Sequence, residues 1–600
     1  MSVLQTPRIL FKGEISWDPI TTNNYDEYYN EDTDAPVWPD VIDRVKAFRQ
    51  EAINAVCGVR SWDPHGTHRA VFYNTAISGV DLGEGVVTTD PFVKSAVNFM
   101  GMLVDLEPYG GLTSQLFFDS MQFGISGGYR IFGKRLSRLT ARYINMARNP
   151  ANAMIAGKAS VVWQAAFSKD ALGVQVDAFD SPALQALTAA LKLDDVLGLT
   201  VRFDTYRTVY FDNLALTNTS PLTAQAEREL TEKLQTGGFQ PNPARSVLVG
   251  VIGLWRRGEP MHEPGDRALL TPAASPVGSA HARLEASSLT IDLSNSIPET
   301  SKDLEKANLG TLSVVAVSAG GSTTQLGTLP YAQYNRRAYE AGSGIVCLAL
   351  TKDQAQAAAN NPIQVLAGNG SILLAESSLR AIPATPNLYI DEGTTATAAF
   401  QVYKVGIPAK EVLPVTLYKM SADGGSIEST GNYRTDANGL LSLPVEGTAG
   451  GVFAYVASPD PAAPPPSSGI NTQVNTYMYV RTLAADKQLA GLPSTWENVY
   501  TKVLANWNAM APCMDNWLML DDPVQVKARA ALLKRLTDPA NFESFLFMPV
   551  TRDMTAGGRT LLYKFLDAPG GPQPAALVKT PETGPDFAKQ SRSLRRPQTS

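Results

Sequence analysis

The sequence predicts a mainly β, multidomain protein: β-rich N-terminal domains, an immunoglobulin-like β-sandwich and a small C-terminal helical domain. Three observations predict it. The chain has 600 residues, and a single core stops growing near roughly 250–300 residues. Gly 47 and Pro 40 are plentiful while long helical patterns are few, which favours strands joined by turns. Short apolar–polar alternations recur to about residue 484 and then give way to helical periodicity.

Residues 1–285 read as one β-rich unit with helical insertions. The segment Ile9 to Trp17 is a strand with a glycine at its middle, Gly13, which marks a bulge or a close backbone approach. Val161 to Phe167 and Val201 to Phe211 are further strands. The second alternates, so it buries one face. Pro39 to Val56, Leu184 to Leu197 and Thr223 to Leu234 carry helical spacing. Residues 286–384 add strands and a short helix over Lys352 to Ala359, as a second β region or as part of the first. Residues 385–484 show short strands with turn signals every 8–12 residues, the pattern of an immunoglobulin-like sandwich. Its strongest turn signal is Asn438-Gly439. From 485 to 568 Trp496, Val499, Tyr500, Val503, Leu504 and Trp507 form one apolar stripe. Two more helices, Ala528 to Leu536 and Arg559 to Leu566, complete a cap too small to stand without docking. Residues 569–600 read as a disordered tail.

A net charge of −6 excludes sequence-independent nucleic-acid binding, which needs a basic face. The cluster Lys589, Arg592, Arg595 and Arg596 lies in the polar tail and reads as a solubilising end. Three cysteines in the whole chain cannot build a disulfide framework and suit a reducing compartment. With no signal-like N-terminus and no apolar run of membrane-spanning length, the expectation is a cytoplasmic protein without a span.

The richest stretch runs from Phe99 to Asp119: an apolar strand, an acidic turn, then a second strand. Asp105, Glu107 and Asp119 offer oxygen ligands or anchors for a bound group, or they cap backbone amides of a hairpin. Met548-Pro-Val-Thr-Arg552-Asp553-Met-Thr555 is the next most specific. Arg552 and Asp553 read as a structural ion pair, with Thr555 or Asp553 capping the helix that follows. The functional alternative is an anion or partner site using Arg552 and Arg559. Asp63, His65 and His68 have spacing that could hold a transition metal, although Pro64 and Gly66 make this a turn. Glu259-Pro-Met-His262 has di-iron spacing, but Pro260 and Pro264 forbid the helix that such a site needs. Cys513 has Asp515, Asp521 and Asp522 as its nearest charges in sequence and reads as a packed thiol. No phosphate-cradling loop and no nucleophile elbow is present.

Pro7 to Gly13, Asp63 to Gly66, Asn74-Thr75, Leu103 to Asp119, Gly250 to Trp255 and Gly258-Glu-Pro260 resemble the N-terminal region of one family. It is the violacein-pathway iminophenyl-pyruvate dimer synthases and chromopyrrolate synthases. The resemblance covers about the first 320 residues. It implies a link to bacterial pigment biosynthesis, in which those enzymes couple two imine units oxidatively. Their ferritin-like segment has no counterpart here, and no catalytic residue of theirs carries over.

The sequence therefore favours a non-catalytic accessory or scaffold protein that binds a partner protein or a small ligand, with no cofactor. Its poverty in histidine (four in all) is the discriminating feature. The alternative is an oxidative enzyme of the dimer-synthase type, with iron or haem held through His65 or His68 and Asp105. Homo-oligomerisation is left open.

Overall fold

In the computed structural model the described residues are 2–17, 29–30, 35–36, 68–104, 114–125, 128–145, 160–176, 180–210, 244–272, 277–299, 305–329, 335–421, 426–460, 470–510 and 518–569. They form a mainly β protein with helices gathered near the C-terminal end.

The first unit is a barrel of eight long strands. They are β1 (Arg8–Trp17), β2 (Arg69–Asp81), β3 (Val97–Val104), β4 (Gln115–Gly124), β5 (Tyr129–Arg135), β6 (Ser160–Val176), β7 (Val196–Tyr210) and β8 (Ala244–Arg256). Each pairs antiparallel with the next in sequence, and β8 returns to β1, so the sheet closes on itself. Closure removes the unpaired edges that an open sheet exposes.

An eight-stranded barrel is just wide enough to be filled by side chains. Here aliphatic side chains and a set of aromatic rings fill it together. Phe72 meets Phe99 at 4.9 Å and Phe203 edge-on at 5.2 Å between ring centroids, geometries that suit the ring quadrupole. Trp17 and Trp163 lie 5.5 Å apart. Each buried indole N–H has a hydroxyl acceptor, Ser246 at 2.6 Å and Thr205 at 3.2 Å, so neither pays for an unmet donor.

The mid-strand glycine expected to mark a close approach does so. A Cβ on Gly13 would stand 2.3 Å from the Thr75 hydroxyl, and the pairing with β2 shifts register between Lys12 and Glu14. Across the other seam of β1, Gly250 pairs with Phe11, and a Cβ there would stand 2.2 Å from that ring.

The helix expected over Leu184 to Leu197 is Pro182–Ala190 instead, capped by Ser181 and packing Leu184 and Leu187 into the barrel core. It stops because the chain is paired into β7 from Val196. The helical patterns Pro39 to Val56 and Thr223 to Leu234 lie outside the described residues.

The second sheet has the order Thr323–Leu329, Leu312–Val317, Ile363–Leu366, Ile372–Ser377, Arg267–Leu270, Ala280–Leu284, Ser288–Asp292, Ile345–Ala349. It has its own buried core. A division at residue 285 cuts through it, because Arg267–Leu270 and Ala280–Leu284 pair inside this sheet. No pairing joins it to the barrel among the described residues.

The sandwich also starts earlier than its pattern indicated. Leu379–Pro383 pairs with Thr395–Lys404, which pairs with Leu440–Glu446. The facing sheet runs Asn387–Asp391, Met478–Leu483, Gly451–Ser458, Pro414–Ser421, Ile427–Arg434, with the first pair parallel. Asn438-Gly439 makes a tight turn (Gly439 φ 73), but it carries the chain from one sheet to the other, not between paired strands. The expected strand over Val474 to Val480 begins only at Met478.

The helical part has the core promised by its apolar stripe, with Val499, Val503, Leu504 and Trp507 against Leu561, Leu562 and Phe565. Its last helix, Ala556–Asp567, is capped by Thr555, whose hydroxyl accepts the Gly558 N–H at 3.1 Å.

Replacing Gly250 by alanine should destabilise the barrel by about 1–3 kcal/mol through overpacking. Urea unfolding followed by tryptophan fluorescence measures it. The double variant Gly250→Ala/Phe11→Leu should recover part of the loss, because it removes the ring that the new methyl strikes. An unchanged midpoint for the single variant contradicts this packing.

Candidate functional site

The two sequence motifs of greatest interest meet in space. Strand β4 presents Phe117 outward from the barrel. With Met102 and Val104 of β3 it packs against Val550, Met548, Phe545 and Phe542 of the C-terminal part and against Tyr389 of the sandwich. This seam joins barrel, sandwich and helical unit.

Arg552 is its centre. The residue is 2% exposed and adopts left-handed backbone (φ 58), a conformation that costs a side-chain-bearing residue about 1–2 kcal/mol. Its guanidinium lies 3.5 Å from the Phe117 ring centroid, a cation–π contact. Its N–H groups donate to the carbonyls of Phe542 (3.1 Å), Val550 (2.6 Å) and Ser544 (2.9 Å). Burial, with further repulsion from Arg138, pushes its pKa down to about 9. The expected ion pair with Asp553 gives way to separate partners: Asp553 accepts from the Trp507 indole at 3.0 Å and the Thr551 hydroxyl at 2.7 Å. The physical reason is the fold of 538–552, whose inward carbonyls need donors.

Two more arginines flank it. Arg138 binds both oxygens of Glu543, donates to Gln115 at 3.0 Å and lies 4.8 Å from the Tyr389 ring. Arg135 reaches Glu543 at 3.6 Å and donates to the Phe118 and Glu543 carbonyls. Partial burial lifts the Glu543 carboxyl, but the Arg138 and Arg135 guanidiniums outweigh it and hold it below the usual range. Tyr389 donates to Gln115 at 2.9 Å.

His68 and Asp119 lie at this seam as well. His68 is buried, with Nδ1 3.1 Å from the Leu103 carbonyl. Burial, and then the charge of Arg552, lowers its pKa to about 4. Asp119 is exposed, 3.4 Å from the Ser544 hydroxyl. Arg559 sits elsewhere, half-buried on the last helix. It donates to Met554 at 3.1 Å, with Asp391 and Asp538 as its acidic surroundings. Asp63, His65, Asp105 and Glu107 lie outside the described residues, as does Cys513. Arg135, Arg138, Tyr389 and Glu543 were not singled out in the sequence; they come from separate stretches with no shared local signal.

A second buried polar cluster lies where barrel, second sheet and sandwich converge. Arg380 donates to the Tyr143 hydroxyl at 2.6 Å and to the Asp266 carbonyl at 3.2 Å, and it stands 3.4 Å from His281. Nearby His262 is 4.0 Å from Glu263, which is 3.9 Å from Arg142. Burial lowers both histidines well below their ordinary range and raises Glu263. The segment Glu259 to His262 is not helical, as its prolines required. Among the described residues no group of three or more His, Cys, Asp or Glu is placed to hold a metal ion.

The fold and seam define a class: a multidomain, mainly β protein in which a closed barrel, a second sheet, a sandwich and a helical unit meet at buried polar seams. No family model matches the chain. A segment of 121 residues is 34% identical to the 2-imino-3-(indol-3-yl)propanoate dimerase of Chromobacterium violaceum, covering 20% of this chain and 9% of that protein. The chain thus spans a small part of the curated relative. Among solved structures, a Salmonella alpha-2-macroglobulin variant matches 69% of this chain and 24% of its own at 12% identity, with a TM-score of 0.13. Trypsin-activated alpha-2-macroglobulin from Escherichia coli matches 80% and 40% at 11% identity, with a TM-score of 0.12.

The His68 shift has a sign that can be measured. Its folded pKa of about 4 lies below the ordinary imidazole value of 6.5. Its neutral burial therefore contributes fully above about pH 6.5 and is lost as pH falls toward 4, by up to about 3 kcal/mol. In His68→Gln the fall in urea midpoint across that window should be shallower by about one proton. Identical pH slopes for the two proteins contradict the assignment.

Proposed function

We propose that this is a non-catalytic accessory or scaffold protein that binds a partner protein or a small ligand, associated with secondary-metabolite biosynthesis. One observation carries the reading: the three described histidines are buried at two separate seams and held neutral by their surroundings. There His68 and His281 contact the Leu103 carbonyl and Arg380, and all three sit away from solvent, which favours packing over proton transfer to a solvent-borne substrate. The barrel interior supports it, since packed aliphatic and aromatic side chains fill the space a substrate would occupy. The interlocked seams support a rigid platform. The strand order of the sandwich supports an immunoglobulin-like unit, a common frame for recognition. No helix among the described residues is long and apolar enough to cross a membrane; with few cysteines, that favours a cytoplasmic setting. A homo-oligomer is compatible with this reading.

The segment shared with the dimerase favours a second reading, an oxidative enzyme of the imine dimer-synthase type. Iron or haem would then need ligands from the region around His65, His68 and Asp105. Of these only His68 is described, and its Nδ1 faces the Leu103 carbonyl inside a packed wall. The residues in hand do not form a ligand set around it.

Purified protein should show no Soret band and no stoichiometric iron, and affinity capture from native lysate should recover one partner at fixed stoichiometry. Iron at one equivalent, lost in His68→Ala, overturns the accessory reading in favour of the enzyme.

A further inference from the structure

We propose that two ordered water molecules are bound inside the junction of barrel, second sheet and sandwich, held by Arg142, His262 and Glu263. The three side chains are at most 2% exposed. Five of their polar atoms have no hydrogen-bond partner in the protein: Nε and Nη1 of Arg142, Nε2 of His262 and both carboxyl oxygens of Glu263. Each such atom is costly to leave unmet, and native folds leave few of them. Five in one place point to a bound group.

The separations match one intervening water each. Glu263 Oε2 stands 3.9 Å from Arg142 Nε, and Glu263 Oε1 stands 4.0 Å from His262 Nε2. Both are too long for a direct hydrogen bond. Two hydrogen bonds of about 2.8 Å meeting at roughly a right angle span either gap. The neighbours keep the gaps open. Gln164 of β6 donates to the Pro260 carbonyl at 3.2 Å and the Glu263 carbonyl at 3.0 Å. Arg380 donates to the Pro264 carbonyl, and to the Asp266 carbonyl at 3.2 Å. The segment carrying His262 and Glu263 is therefore pinned on both sides. Arg142 is held from the sandwich, 4.6 Å from the Tyr477 ring and 3.5 Å from the Pro386 carbonyl.

The donor set selects water over an ion. Arg142 only donates, an ionised Glu263 only accepts, and a neutral imidazole does one or the other at Nε2. A metal cation touching Glu263 would stand beside the Arg142 guanidinium. An anion touching Arg142 would stand beside the Glu263 carboxylate, and like charges at such range repel. Water is neutral, donates and accepts, and so serves both pairs. Burial holds His262 neutral and pushes the Glu263 carboxyl up, and water complements a protonated carboxyl equally well. The bridges tie the strand Arg142–Asn145, which pairs with β6 of the barrel, to the segment that leaves β8 for the second sheet.

High-resolution crystals of the full chain test the site. Density for one water should lie within hydrogen-bond distance of Glu263 and Arg142, and density for a second within that distance of Glu263 and His262. Both should remain in Glu263→Gln, because the amide donates and accepts. In solution, oxygen-17 relaxation dispersion should count about two fewer long-lived waters in Glu263→Met than in the wild type. Should Glu263→Met fail to fold, the wild-type and Glu263→Gln crystals decide alone. Direct contact of Glu263 with Arg142 and His262, an anomalous peak in the site after a bromide soak, or an unchanged water count in Glu263→Met overturns the proposal.

Discussion

Strand β1 is the closing element on which the rest depends. It pairs with β2 on one side and β8 on the other, so the first strand in the chain must wait for the last before the barrel can shut. Two glycines make that possible. Gly13 lets β1 lie against Thr75, and Gly250 leaves room for the Phe11 ring. Once shut, the barrel holds Phe11 near Phe72 and Phe123, and a ring-filled core resists deformation because close packing leaves little slack. The outward faces of the same strands then become rigid docking surfaces: Leu10 and Val251 under the N-terminal turn, Tyr206 and Val249 beneath Tyr339, and Phe117 beneath Arg552.

The seam at Phe117 shows how a charged side chain can serve as packing. Arg552 gives its donors to carbonyls and its flat face to a ring, so its burial is compensated without a bonded carboxylate. The nearby acid, Glu543, answers Arg138 and Arg135 instead. This division explains why a motif that read as an ion pair folds as a loop pin. Carbonyls turned inward by a tight loop are a stronger local demand than a neighbouring aspartate that has its own indole and hydroxyl donors.

The strands Val97–Val104 and Gln115–Gly124 were legible because apolar runs and a period of two leave little choice: they pair as the pattern implied, Val104 opposite Gln115. The helical stripe from Trp496 to Trp507 was legible for the same reason, although it is broken by a wider turn over Tyr500–Leu504. Boundaries were not legible. Arg267–Leu270 and Leu379–Pro383 look like any short strand, and only their partners decide which sheet owns them. The seam was half legible: Arg552, His68 and Asp119 stood out by type, whereas Arg135, Arg138, Tyr389 and Glu543 gain meaning only from being brought together.

The amino-acid sequence by itself determined the fold class, the strand and helix periodicities and the close approach at Gly13, because these depend on residues near one another along the chain. Only the tertiary structure decided that the first sheet closes into a barrel and that Arg552 serves carbonyls rather than Asp553. Those outcomes depend on contacts between segments far apart in the chain, where burial and the competition for hydrogen-bond partners are settled by the whole fold.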